Sequence, residues 1–298
     1  MFYLKTIILD CADEAITPTW EDQIQKAGMK LMRRSGETCC EDASGARDEA
    51  CMEEAGVLWI TEDEGRAKEF ARRRWPVLGI LRGENDERMF HGVPYLCMNL
   101  TELEAEFLER VYRRQARIPW EILETGRCLV RETGARDAGE LYELYADPSV
   151  TDYMESLPED PNAFKAWLED YSKHVYGLLG YGIWTICLKG EGAEGIEHQS
   201  GEAKDGVIIG RAGLSVREGY EDLELGFLIG KPWQGQGLAY EVCSAILDYA
   251  RQLGAERIIA FARPDNEASA RLLCKLGFQK EQVTEVDGET CILYGRQL

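Results

Sequence analysis

Residues Gln234, Gly235, Gln236, Gly237, Leu238 and Ala239 join a strand-like run, Leu223 to Ile229, to a long amphipathic helix-like run, Ala239 to Leu253. Glycines let the backbone bend and approach a ligand closely, and a helix start presents unpaired N–H groups with the positive end of its dipole. A phosphate or pyrophosphate suits such a nest. Gly-rich turns of this kind are common and most bind nothing, so the segment gains meaning only from its neighbours in the chain. A β-branched run, Arg257 to Ala262, leads into Arg263-Pro264-Asp265-Asn266-Glu267-Ala268-Ser269. A second amphipathic helix then closes on Leu272-Leu273-Cys274-Lys275-Leu276-Gly277-Phe278. A dinucleotide-binding unit is the competing reading of strand, Gly-x-Gly and helix. Its third glycine would fall at Tyr240, and no acidic residue closes the next strand where the ribose partner is expected.

The glycine segment and the Asn266 to Phe278 segment lie about thirty residues apart across a helix and a strand. In that order they resemble the GCN5-related N-acetyltransferases (GNAT), whose pyrophosphate loop has the form Gln/Arg-x-x-Gly-x-Gly/Ala. In that family a later helix opens with Asn and closes with Lys-Leu-Gly-Phe. The resemblance runs over about residues 126–298, and Leu223-Glu-Leu-Gly-Phe with Asn266-Glu-Ala-Ser is similar to the RimJ/RimL branch. It implies a mixed sheet with flanking helices, acetyl-CoA as cosubstrate and transfer of acetyl to a primary amine by direct attack on the thioester. By resemblance, backbone groups of Phe227, Leu228 and Ile229 pair with the pantetheine arm, and an N–H there holds the thioester oxygen. The pyrophosphate then rests on Gly235 to Ala239 with Gln234 beside it, while Asn266 and Ser269 cap the following helix and touch the cofactor.

An alkylammonium is mostly protonated at neutral pH, so a carboxylate is needed to take its proton, directly or through water. Glu224 is the candidate, because strand alternation lets it point into the cleft just before the cofactor contacts. Many family members place a Tyr seven residues after the Asn to protonate the leaving sulfur, but here that residue is Leu273. The general acid is therefore unassigned, with Tyr294 or Tyr181 as substitutes. Trp184 and Tyr153 either line the acceptor pocket or fill the core. The acceptor is a small cationic molecule or a protein N-terminus. A non-enzymatic acetyl-CoA sensor fits the same motifs, as does a bifunctional protein with a phosphatase in its first half.

The 298 residues carry 34 Lys and Arg against 54 Asp and Glu, a net charge of −20, which argues against nucleic-acid binding. No apolar stretch approaches twenty residues and the amino terminus reads as a strand, so no membrane association and a cytoplasmic protein are expected. Ten cysteines scatter without a Cys-x-x-Cys pair and only three histidines accompany them, so reduced thiols and no metal are expected. Cys243 and Cys274 read as core or near-core, and Cys39 with Cys40 sits in a polar stretch. Oligomerisation is compatible with the sequence but not specified by it.

The length suits two domains, with boundaries at 1–115, a join at 116–125, and 126–298. The first alternates strand-like runs (Thr6 to Asp10, Val57 to Thr61, Val77 to Leu81, around Pro94 to Cys97) with helix-like ones (Trp20 to Arg34, Glu64 to Arg74, Thr101 to Gln115). Alternation of that kind predicts a parallel sheet in a smaller Rossmann-like αβα domain. The Thr101 helix is capped by Asn99 or Thr101. The order faintly resembles haloacid-dehalogenase-like folds, but that family's Asp-x-Asp becomes Asp10 and Ala12 here, and residues 95–99 carry no carboxylate for magnesium. A catalytically silent domain is the preferred reading. In the second domain, strands are expected at Cys128 to Glu132, Tyr181 to Leu188 and Val207 to Val216, with helices at Asp137 to Ala146 and Pro161 to Tyr176. A hairpin loop is expected at 191–205, and Asp287-Gly288 marks the turn of a terminal hairpin.

Overall fold

A computed structural model of the chain describes residues 2–12, 16–33, 55–82, 90–146, 160–190 and 206–298. It divides into two compact units, Met1–Trp120 and Glu121–Leu298. The expected loop at 191–205, Cys39, Cys40 and Tyr153 fall outside the described residues.

The first unit is built on five parallel strands, β1 (Thr6–Asp10), β2 (Lys30–Arg33), β3 (Val57–Thr61), β4 (Val77–Ile80) and β5 (Leu96–Cys97), in the order β2-β1-β3-β4-β5. Strand alternation sends Ile7, Leu9, Leu58, Ile60 and Leu78 to one face. There they meet Trp20 and Ile24 of α1 (Pro18–Lys26) and Leu108, Val111 and Tyr112 of α3 (Ala105–Gln115). Ile8, Val57, Trp59 and Val77 go to the other face, against Ala67 and Phe70 of α2 (Glu64–Arg72). Buried Glu109 of α3 accepts the N–H groups of Tyr3 and Leu4 at 2.8 and 2.7 Å and so pins the start of β1.

Two local expectations change. The run Trp20 to Arg34 is not one helix: α1, capped by Thr17, stops at Lys26, Gly28 turns the chain at φ 87°, and Lys30–Arg33 pairs with β1 as an edge strand. Asn99 caps a single 3-10 turn, Leu100–Glu102, through the Thr101 N–H, and α3 begins only at Ala105.

The second unit is built on eight strands: β6 (Glu121–Glu124), β7 (Cys128–Arg131), β8 (Ile183–Leu188), β9 (Val207–Ser215), β10 (Leu223–Ile229), β11 (Arg257–Ala262), β12 (Gln279–Val286) and β13 (Glu289–Gln297). Their order is β12-β13-β11-β10-β9-β8-β7-β6, and every neighbouring pair is antiparallel except β10 with β11. Residues 121–124, expected within a join, are thus an edge strand of this sheet. One face packs on α6 (Leu238–Gln252) and α7 (Glu267–Lys275), joining Val242, Ile246 and Leu273 to Val130, Ile186, Ala212, Leu225 and Ile258. The other packs on α4 (Ala138–Tyr145) and α5 (Pro161–Tyr171), through Leu141, Phe164 and Leu168 on Cys187 and Ile208. Beyond α5 the expected helix widens into a π turn at Ser172–Tyr176. Asp287 and Gly288 turn the terminal hairpin at φ 52° and 81°, the two positive angles of a type I′ turn.

Candidate active site

Strands β10 and β11 share only two paired positions, Leu223 with Ile258 and Glu224 with Ile259, and diverge beyond them. The rest of β10 stays laddered to β9, from Leu225 with Leu214 to Ile229 with Gly210. Gly230 donates its N–H to the Ile209 carbonyl at 2.8 Å. Carried back by the alternation of an antiparallel ladder, that bond directs the main-chain groups of Leu228 to β9 and those of Phe227 and Ile229 to the open edge. An exposed strand edge of this kind accepts an extended amide-bearing ligand as an added strand.

The slot runs towards the glycine segment. Gly235 and Gly237 adopt φ of 73° and 79°, and Gly237 is the N-cap of α6 in a left-handed conformation that a side chain would resist. The N–H groups of residues 235–240 have no acceptor among the described residues, so the first turn of α6 keeps its donors and the positive end of its dipole for an anion. Gln234 Nε2 donates to the Ile229 carbonyl at 2.8 Å and braces the end of β10. Gln236 Nε2 donates to the Pro232 carbonyl at 3.0 Å. Leu238 is buried beneath the turn and Ala239 packs against the same core.

Asn266 is the N-cap of α7, its side-chain oxygen accepting the Ser269 N–H at 3.0 Å. Ser269 therefore contributes its main chain to the cap. Leu273, at the position of the missing tyrosine, is fully buried. Tyr294 is also buried under this helix, and burial raises its phenol pKa, keeping the proton on at neutral pH.

Glu224 sits at the last shared rung of β10 and β11, opposite Ser215. Its Oε2 accepts from Arg217 Nε at 2.5 Å, and the same guanidinium reaches Asp287 at 2.9 Å. Even-numbered residues of β10 lie on the α4 face of the sheet, as the contact of Leu228 with Tyr145 shows. On that face Gly226 lies opposite Gly213, leaving a strip without side chains next to Glu224. Trp184 points the other way: it is fully buried against Tyr249 of α6, with ring centroids 5.6 Å apart, and belongs to the core rather than to a pocket.

Three arginines near these groups carry no sequence motif. Arg217 holds Glu224. Arg127, in the turn between β6 and β7, donates its N–H and Nε to Glu241 of α6 at 2.8 and 2.7 Å and Nη1 to the Gln236 carbonyl at 3.0 Å, clamping the glycine turn. Burial alone would raise the Glu241 carboxyl, but hydrogen bonds from Thr125 and Arg127 outweigh it and hold the group below its ordinary range. Arg211, in the middle of β9, lies almost wholly buried. No local pattern announces these residues, because their partners stand 7 to 114 positions away in the chain.

In the first unit, Asp10 accepts from Thr61 Oγ1 at 2.9 Å and from Arg66 Nη1 at 2.6 Å. Both its oxygens tie β1 to β3 and α2. Among the described residues there is no grouping of three or more His, Cys, Asp or Glu that could hold a metal ion, and no helix is long and apolar enough to cross a membrane. Cys243 is buried, its thiol pushed up to about 12 by desolvation, whereas Cys274 is exposed, contrary to its expected place near the core.

The splayed strands, the donor-rich turn and the capped helix all belong to the second unit. The Acetyltransferase (GNAT) domain matches residues 127–279. The [Ribosomal protein uS5]-alanine N-acetyltransferase of Escherichia coli is 32% identical over 178 residues, covering 56% of this chain and 82% of that protein. The N-acetyltransferase YoaA of Bacillus subtilis is 32% identical over 170 residues, covering 54% and 85%. The solved structure of a ribosomal-protein-S5-alanine acetyltransferase from Vibrio fischeri aligns with a TM-score of 0.46 at 20% identity, covering 59% of this chain and 95% of that one. With half of its length matched and the motif frame in place, the chain belongs to the GNAT family and is an acetyl-CoA-dependent N-acetyltransferase.

Proposed function

We propose that the second unit acetylates the α-amine of a peptide or protein N-terminus, the amine attacking the thioester directly, with Glu224 as the proton acceptor. The observation that carries this reading is the place of Glu224: a partly shielded carboxylate at the last shared rung before β10 and β11 part. Acetyl-CoA supplies an activated acyl group with a thiol leaving group. Phe227 and Ile229 line the slot with main-chain groups; Gln234 takes the Ile229 carbonyl, and the Ile229 N–H, directed to the open edge, is the donor for the thioester oxygen. The N–H groups of Gly235, Gln236, Gly237, Leu238 and Ala239 hold the pyrophosphate, and Asn266 adds its side-chain amide. Glu224 removes the ammonium proton, directly or through water, while Arg217 fixes the orientation of its carboxylate. Tyr294 keeps its proton at neutral pH and is the candidate to return one to the sulfur. The name of the Escherichia coli relative, an alanine N-acetyltransferase of a ribosomal protein, supports an N-terminal acceptor over a small polycation.

The first unit we read as a Rossmann-like domain without chemistry of its own. Its parallel strand order and helices on both faces support the first statement, and the double engagement of Asp10 supports the second.

The test is thiol release from acetyl-CoA against peptides with free amino termini, amino acids, polyamines and aminoglycosides. Peptide-dependent CoA release is expected, and Glu224→Gln should lower kcat roughly a hundredfold or more while acetyl-CoA still binds. Polyamine turnover without peptide turnover would refute the acceptor, and a fully active Glu224→Gln would refute the base.

A further inference from the structure

Two arginines lie on the same face of the second sheet, separated by one strand. Arg131 of β7 stands opposite Thr185 of β8, and Thr185 stands opposite Arg211 of β9. Both arginines are buried, at 4% and 5% exposure, so each carries a charge that the interior tolerates only when it is compensated. Arg131 has its counter-ion: Asp137 accepts from its Nη1 and Nη2, each at 2.8 Å. Arg211 has none. Its guanidinium makes one long hydrogen bond, from Nη2 to the Ile183 carbonyl at 3.3 Å, and its Nε is buried with no acceptor. No carboxylate pairs with it among the described residues. Around it stand uncharged groups: the Trp167 ring, with its centroid 6.0 Å away, and the phenols of Tyr171 and Tyr176. Burial raises both phenols, so neither supplies an anion at neutral pH.

Arg211 shares its face of the sheet with Glu224. Along β9 and β10 the same face carries Arg211 opposite Leu228, then Gly213 opposite Gly226, then Ser215 opposite Glu224. The middle rung has no side chains. A Cβ on Gly213 would fall 1.9 Å from the Gly182 carbonyl oxygen, so the neighbouring backbone closes on that glycine, and the Ile183 methyl lies 3.4 Å from where a Cβ on Gly226 would be. Arg211 and Glu224 are thus four residues apart along the strands, about 13 Å between backbone positions, with long side chains at both ends of a glycine floor.

We infer that Arg211 is a carboxylate subsite for the acceptor, so that the substrate is an amine bearing a carboxylate within reach of the reacting nitrogen. This deepens the acetyl-transfer reading and rests on its placing of the amine at Glu224. The carboxylate has two sources with the same chemistry: the α-carboxylate of a free amino acid, or an acidic side chain just after the terminal residue of a peptide. A bidentate or single charge-assisted bond to the guanidinium supplies the missing counter-ion. Polyamines and aminoglycosides lack the group and are excluded.

The experiment is calorimetric titration of the full chain saturated with CoA, using acceptors matched in everything but charge. Alanine is paired with alaninamide, and Ala-Glu amide with Ala-Gln amide. In at least one pair the acidic member should bind tenfold or more tighter, the scale of one hydrogen bond to a charged group, and the pair that shows it identifies the source. Arg211→Gln should bring that ratio to within about twofold without changing CoA affinity, whereas Arg211→Lys should keep part of it. Equal or absent binding of both members to the unaltered protein overturns the subsite. So does an Arg211→Gln variant that weakens both members alike, which is what a purely structural arginine would do. Should Arg211→Gln not fold, the unaltered protein and Arg211→Lys decide: the lysine variant must retain a preference for the acidic member. Thiol release on the same pairs separates the two readings. A binding preference without turnover would sink the transfer reading alone, and turnover without preference would sink the subsite alone.

Discussion

Cysteines show how position within one helix or the next changes chemistry at the scale of a single residue. Cys243 faces the sheet from α6 and Cys274 faces solvent from α7, although both helices are amphipathic and pack on the same core. Desolvation pushes the Cys243 thiol up to about 12, and Cys11 and Cys97 in the first unit to about 11. At pH 8 these groups are neutral thiols, and the thiolate is the nucleophile. Among these four, Cys274 should therefore react with a maleimide in the folded protein at pH 8, and Cys243 only after denaturation. Peptide mapping by mass spectrometry checks this, and early labelling of Cys243 would show that α6 opens in the native state. The same contrast explains why Leu273 cannot simply be read as a lost tyrosine: it is fully buried and packs α7 onto the sheet. The sequence locates that departure but not the group that replaces the phenol.

At the scale of elements, the glycine turn depends on a partner far away in the chain. Arg127 takes hold of α6 through Glu241 and of the turn through the Gln236 carbonyl. The pair is half exposed on the arginine side and a quarter exposed on the other, so its worth to global stability is under about 1 kcal/mol. Its effect on the donor nest is local. Arg127→Ala should shift the melting temperature little and raise the KM for acetyl-CoA several-fold with kcat nearly unchanged. The pH dependence has a definite sign. The Glu241 carboxyl lies below its ordinary range in the folded protein, so the clamp contributes above the ordinary carboxylate pKa and is lost as pH falls through the lowered value. Glu241→Gln should weaken acetyl-CoA binding near neutrality and remove that part of its decline in acid. A neutral-pH KM unchanged in both variants would show that the turn needs no clamp.

The elements that sequence reasoning found and those it missed divide on a physical line. Leu223–Ile229 and Arg257–Ala262 were legible to the residue because each sends apolar side chains into the core. Lys30–Arg33 and Glu121–Glu124 were not, since each is the edge strand of its sheet and shows mostly exposed or half-exposed side chains. An edge strand has one hydrogen-bonded neighbour and little burial to impose a period of two. The glycine turn and the Asn266 cap were legible as local geometry. Arg127, Arg211 and Arg217 were not, because a lone arginine on a strand or in a turn looks like surface until the sheet is assembled.

The whole molecule consists of two units, each with its own sheet and its own buried cores. In the first, Ile7, Leu58, Leu78 and Leu108 close one layer and Trp59, Phe70 and Val77 the other. In the second, Ile186, Leu225, Val242 and Ile258 close one layer and Leu141, Phe164 and Ile208 the other. Every residue proposed for acetyl transfer lies in Glu121–Leu298. A unit that buries its own core and carries its whole site has what it needs to fold and bind by itself. The fragment comprising residues 121–298 should therefore melt cooperatively and bind acetyl-CoA. At a hundredfold excess over Kd, linkage adds about 2.7 kcal/mol, which for a domain of this size raises Tm by roughly 5 to 10 °C. In the full chain the same ligand should move one unfolding transition by that amount and leave another, belonging to the first unit, where it was. Calorimetric scans with and without acetyl-CoA read both results. A fragment that melts without cooperativity, or a full chain in which acetyl-CoA moves all of the unfolding together, would show that the first unit is a structural part of the acetyltransferase rather than a separate module.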